Sequence, residues 1–160
     1  MLSKVLQQAA LTTALIAAMS LPAMADSLFS VEGAYARAVA PGQTNSAVFL
    51  QLTNNDNQSH ALISVDSSVS NVTELHGHTM NNGMMMMRKV EKIDLPAGET
   101  VALQPGGLHI MLIGLKDNFK PDAEVQLTLH FDNDSEQQIS APIRPLQMEM
   151  MDHGAHQPAH

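Results

Sequence analysis

Apolar and polar residues alternate along most of the chain with the two-residue period of a β-strand. The pattern is strictest over residues 125–131, where Val125, Leu127, Leu129 and Phe131 fall on one side and Gln126, Thr128 and His130 on the other. Successive strand side chains point to opposite faces, so this segment has one core face and one polar face. Further strands are predicted over 30–40, 47–53, 61–65, 72–78, 84–93, 100–103, 109–115 and 138–143. Turn chemistry separates them: Pro41-Gly42, a polar loop over 54–58, Asn81-Asn82-Gly83 as a hairpin turn, Leu95-Pro96-Ala97-Gly98, Pro105-Gly106-Gly107 and Asp132-Asn133-Asp134. No stretch carries a long 3.6-residue period capped at both ends, so helix should be scarce. Many short strands at regular spacing predict an all-β sandwich or barrel.

The two ends depart from this pattern. Residues 1–25 begin with Lys4, continue with an apolar run from Ala9 to Leu21 and end in Ala23-Met24-Ala25. A basic start, a short apolar stretch and an A-x-A site make a secretory signal, with cleavage expected after Ala25 and the periplasm as destination. Thr12, Thr13, Ser20 and Pro22 make the run short for a membrane span, so no membrane insertion is expected after cleavage. Residues 26–145 then form one domain, large enough for a packed core. Residues 146–160 (LQMEMMDHGAHQPAH) hold little core-forming material and read as a flexible tail.

Composition narrows the chemistry. The 160 residues include 12 Met and 8 His but no Cys and no Trp. Without cysteine there are no disulfides, no lipid-bearing cysteine, no thiolate zinc site, no iron–sulfur cluster and no blue copper centre. The net charge of −8 argues against nucleic acid, whose phosphates require Lys and Arg. No G-x-S-x-G, H-E-x-x-H or phosphate-binding loop occurs.

Beyond the signal segment, Met and His cluster together. Met80 and Met84, Met85, Met86 and Met87 lie close in sequence to His76 and His78; Met111 lies two residues after His109. The tail adds Met148, Met150, Met151, His153, His156 and His160. Core packing does not require such co-segregation. His109 and Met111, at i and i+2 on a strand, share a face. His76 precedes the Asn82-Gly83 turn and Met87 follows it, so a hairpin can set these two opposite each other. Two imidazoles and two thioethers select a soft ion: zinc prefers thiolate, imidazole or carboxylate, calcium and magnesium require oxygen, and Met with His points to copper, as Cu(I). Met85 can share the face of Met87, and His78 and Met80 are auxiliary donors. Met84 and Met86 are expected to pack on the opposite face. His60 and His130 are read as non-ligands. In the tail, the imidazoles suit Cu(II) and the thioethers Cu(I).

The spacing His76, ten residues, Met87, twenty-one residues, His109, one residue, Met111 resembles the H-x10-M-x21-H-x-M signature of the PCu(A)C family of periplasmic copper chaperones. The flanking text is similar too: Glu74-Leu75-His76, Gly83 through Met87-Arg88, Leu95-Pro96-Ala97-Gly98, and Pro105-Gly106-Gly107-Leu108-His109-Ile110-Met111-Leu112. The resemblance spans roughly residues 30–145. It implies a cupredoxin-like Greek-key β-barrel or sandwich, and Cu(I) held by His76, Met87, His109 and Met111. It also implies delivery to the copper subunit of cytochrome c oxidase, with a Sco-like thiol chaperone as a further partner, by a monomeric, non-enzymatic carrier. The residues themselves leave other readings open: copper sequestration for resistance, a copper-dependent redox enzyme, or a metal-free β interaction module.

Overall fold

The computed structural model describes residues 27–116 and 119–145. The predicted signal segment 1–25 and the tail, with Met148, Met150, Met151, His153, His156 and His160, lie outside the described residues.

Ten strands follow one another without an intervening helix among the described residues: β1 (Phe29–Arg37), β2 (Asn45–Asn54), β3 (His60–Ser67), β4 (Ser70–Asn81), β5 (Met84–Lys89), β6 (Ile93–Leu95), β7 (Thr100–Leu103), β8 (His109–Leu115), β9 (Glu124–Phe131) and β10 (Glu136–Arg144). They hydrogen-bond in the order β5-β4-β8-β2-β1-β10-β9-β3-β6, and β7 pairs with β2 off this path. Every pairing is antiparallel except β1 with β10, which joins the first and last strands in parallel through Ala36↔Ile143 and Arg37↔Arg144.

The alternation read from the sequence sets the inside. Val125, Leu127, Leu129 and Phe131 on β9 are all buried, as are Val48, Leu50 and Leu52 on β2 and Ile110 and Leu112 on β8. They form one apolar cluster with Leu62 and Val65 of β3, Leu75 of β4, and Ile93 and Leu95 of β6. Each such side chain contributes about 1.5–3 kcal/mol on burial. With no disulfide, this cluster must stabilise the fold alone. Phe29 stacks on Phe131 at 3.7 Å between ring centres, pinning β1 across the seam to β9.

Two expectations are corrected. The single strand expected over 84–93 is two strands, because the chain bends at Val90-Glu91-Lys92. The bend carries it from β5, which pairs with β4, to β6, which pairs with β3 at the opposite end of the strand order. Met84 and Met86, expected to pack, are exposed at 67% and 40%. β5 is the outermost strand and pairs only with β4, so its second face meets no packed layer.

Candidate metal centre

Three neighbouring strands, β5, β4 and β8, carry the candidate donors on one face. The β4–β8 register sets Glu74 opposite Met111 and His76 opposite His109. The intervening pair Leu75↔Ile110 points to the opposite face and into the core. Alternate residues share a face, so Glu74, His76, His78 and Met80 on β4 lie beside His109 and Met111 on β8.

The β4–β5 hairpin turns through Asn82 and Gly83, with φ of 50° and 78°. Two successive positive φ values are the backbone of a two-residue turn with the twist of its flanking strands, and the Asn-Gly pair tolerates them. This turn fixes the register: Met80↔Met85, His78↔Met87 and His76↔Lys89. The expectation that His76 and Met87 stand directly opposite is therefore corrected. They are diagonal neighbours on the same face, about 7–8 Å apart at the backbone and within reach of long side chains. His78 is the residue opposite Met87.

The two principal imidazoles are held differently. His109 is 3% exposed, and its Nδ1 lies 2.9 Å from the Gly107 carbonyl oxygen. Donation by Nδ1–H leaves Nε2 as the free lone pair. Burial holds this imidazole below the usual histidine value against the Gly107 hydrogen bond, and the charges of His76, His78 and Arg37 add to the lowering. It is thus a neutral donor at neutral pH. The Nε2 of His76 donates to Glu74 Oε2 at 2.8 Å, and Glu74 Oε1 accepts from Lys89 Nζ at 3.0 Å. These bonds, that from His76 first, hold the Glu74 carboxyl below the usual carboxylate range. The remaining nitrogen of His76, Nδ1, is buried with no hydrogen-bond partner. An orphaned buried nitrogen costs about 1–3 kcal/mol, and coordination would satisfy it. A carboxylate on one imidazole nitrogen with the other free is the arrangement that orients ligating histidines in metal sites.

His78 forms a third imidazole beside these. Its Nδ1 lies 3.1 Å from the same Gly107 oxygen. The ring centres of His76 and His78 are 5.7 and 5.8 Å from that of His109. A cleft of about 420 Å³ opens here, lined by Arg37, Phe49, His78, Met87, His109 and Met111 among others. His76 does not line it; its ring meets Glu74 and His109 instead. Among the described residues, no three His, Asp or Glu side chains are placed to hold a metal ion. The thioethers of Met87 and Met111, which line the same cleft, are soft donors.

Sequence reasoning missed Glu74 and the Gly107 carbonyl as the groups that orient the imidazoles. Glu74 was readable, because it stands two residues before His76 on the same strand face. The Gly107 oxygen was not, since only the fold brings it to His78. Away from this face, His60 is bonded by Asp56 at 2.8 Å and Asp132 at 3.2 Å, and His130 by Asp66 at 2.8 Å and Glu136 at 3.1 Å.

The profile of the family described as "Putative lipoprotein LpqE-like" matches residues 29–143. The chain is 30% identical over 115 residues to "Putative lipoprotein Lxx21020" of Leifsonia xyli subsp. xyli, covering 71% of this chain and 68% of that protein. It is 30% identical to "Uncharacterized protein RP573" of Rickettsia prowazekii, covering 62% of this chain and 56% of that one. Solved structures share its fold. The copper-bound PCuAC domain from PmoF2 superposes with a TM-score of 0.62 at 23% identity, covering 74% of this chain and 93% of the domain. The solution structure of Cu(I)-DR1885 from Deinococcus radiodurans superposes with a TM-score of 0.61 at 29% identity, covering 79% of this chain and 81% of that one. The all-β, cupredoxin-like architecture expected from the sequence is thus the architecture the chain adopts.

Proposed function

Because the chain belongs to the LpqE-like lipoprotein family, we propose that it is an exported copper carrier, binding Cu(I) as cargo through His76, Met87, His109 and Met111. The observation that supports this most directly is the preparation of two imidazoles on a thioether-bearing face. His109 offers Nε2 because Gly107 takes Nδ1, and His76 offers an orphaned Nδ1 because Glu74 takes Nε2. Solved relatives in the same fold that carry copper support the choice of ion.

Four neutral donors leave the single positive charge of Cu(I) uncompensated in the first shell. Such a site holds the ion yet yields it to a thiolate-bearing acceptor, which is carrier rather than enzyme behaviour. The open cleft gives an acceptor access to Met87, His109 and Met111. The proposed acceptor is the copper subunit of cytochrome c oxidase, directly or through a Sco-like thiol chaperone, in the periplasm after cleavage behind Ala25. The tail is proposed to capture copper, including Cu(II), for the folded site, and deletion of residues 147–160 should then lower copper stoichiometry without unfolding the domain.

The test is anaerobic Cu(I) titration with X-ray absorption. Nitrogen and sulfur scatterers in equal number are expected, and His109→Ala should weaken binding more than Met111→Leu. Nitrogen and oxygen scatterers alone would overturn the assignment. The four exposed methionines of β5 also suit sequestration; copper transfer to a purified oxidase copper-subunit domain separates delivery from storage.

A further inference from the structure

The inner donors leave part of the same face unused. Met80 and Met85 stand directly opposite each other at the end of the β4–β5 hairpin, one register step beyond His78 and Met87. They are 71% and 64% exposed. An exposed methionine forgoes the roughly 1.5–3 kcal/mol that burial of its side chain would contribute. Packing therefore does not account for this pair, and an edge strand with apolar side chains carries an aggregation cost as well. The His78 ring is also unspent: Nδ1 is occupied by the Gly107 oxygen, which leaves Nε2 as its open lone pair.

We propose that Met80, Met85 and His78 form a second, outer Cu(I) locus at the hairpin, from which the ion passes to and from the inner donors. This rests on the copper reading above. Two thioethers and one imidazole make a neutral, soft, three-donor set suited to a monovalent soft ion and poorly suited to zinc or calcium. Register steps of two residues separate successive rungs by about 6.6–6.8 Å. The order along the face is Met80/Met85, then His78/Met87, then His76/His109, then Met111 opposite Glu74. His78 and Met87 are the rung common to both ends. They line the same cleft as His109 and Met111, which connects the hairpin rung to the inner donors. Movement along the ladder exchanges one weak neutral donor for another, with no change of oxidation state and no proton transferred.

The test is methyl NMR of the full chain labelled with [13C-methyl]methionine, titrated anaerobically with Cu(I), each methyl being assigned through its own Met→Leu variant so that those of Met148, Met150 and Met151 are read separately. Within the folded domain the Met87 and Met111 methyls should shift first, and those of Met80 and Met85 next. Met84 and Met86, on the other face of β5, should stay unmoved as internal controls. The double variant M80L/M85L should lose one equivalent of capacity and keep the first. Saturation of Met87 and Met111 with Met80 and Met85 unmoved would overturn the outer locus while leaving the inner site intact. Shifts at Met80 and Met85 with none at Met87 and Met111 would instead overturn the inner site and leave the outer locus standing alone.

Discussion

Glu74→Ala tests whether the carboxylate prepares His76 for the metal. Glu74 accepts from His76 Nε2 at 2.8 Å and leaves Nδ1 as the nitrogen without a partner. Removing the carboxylate frees the ring to rotate and removes the acceptor that fixes its tautomer. Loss of such an outer partner typically weakens metal binding about 10–100-fold, or about 1.4–2.7 kcal/mol. The Lys89 contact cannot account for an effect of that size: the Lys89 side chain is 63% exposed, and an exposed ion pair contributes about 0–1 kcal/mol. Lys89→Ala is therefore the control, expected to change affinity by less than about fivefold. Cu(I) affinity is measured anaerobically by competition with a chromophoric Cu(I) chelator. Imidazole 15N spectra report in parallel which His76 nitrogen moves on binding, Nδ1 being expected. An affinity in Glu74→Ala within about twofold of wild type, or a His76 signal that moves at Nε2, would refute the reasoning.

Met111→Leu keeps the volume and removes the sulfur, so Cu(I) affinity should fall while unfolding free energy drops by less than about 1.5 kcal/mol; equal affinities would exclude Met111 as a donor. The Asp56 hydrogen bond, followed by that of Asp132, raises the His60 pKa against the effect of burial. The stability this gives is fully present below the unfolded value of about 6.5 and is lost as pH rises through the raised value. The same pairing lowers the Asp56 pKa, a contribution lost as pH falls through the lowered value. His60→Asn should therefore lower Tm more at about pH 5.5 than at about pH 8.5, and a pH-independent difference would contradict this. Gly114 adopts φ +68°, and a Cβ there would stand 2.7 Å from Asn71 Nδ2. Gly114→Ala should thus destabilise by about 1–3 kcal/mol in urea unfolding, with partial recovery in the G114A/N71A pair.

The strands that were legible were those whose signal is local. The alternation over 125–131 and the turn-bounded segments 100–103 and 109–115 reappear as β9, β7 and β8. The split of 84–93 was not legible, since only the order of strands reveals that β5 and β6 belong to opposite ends of the sheet. The exposure of Met84 and Met86 has the same origin: a methionine on a strand is buried or bare according to what lies beside the strand. The site was legible to the level of faces. His109 with Met111 followed from the strand period, but the pairing of His78 rather than His76 with Met87 required counting outward from the Asn82-Gly83 turn. The Gly107 oxygen lies 29 residues from His78 in the chain and was visible only in the folded molecule.

The parallel pairing of β1 with β10 also bears on the cleft. Arg144 is the register partner of Arg37, and Arg37 lines the cleft that holds Met87, His109 and Met111. One residue of the cleft wall thus sits at the seam where the first and last strands meet, so the metal face depends on contact between the two ends of the described domain.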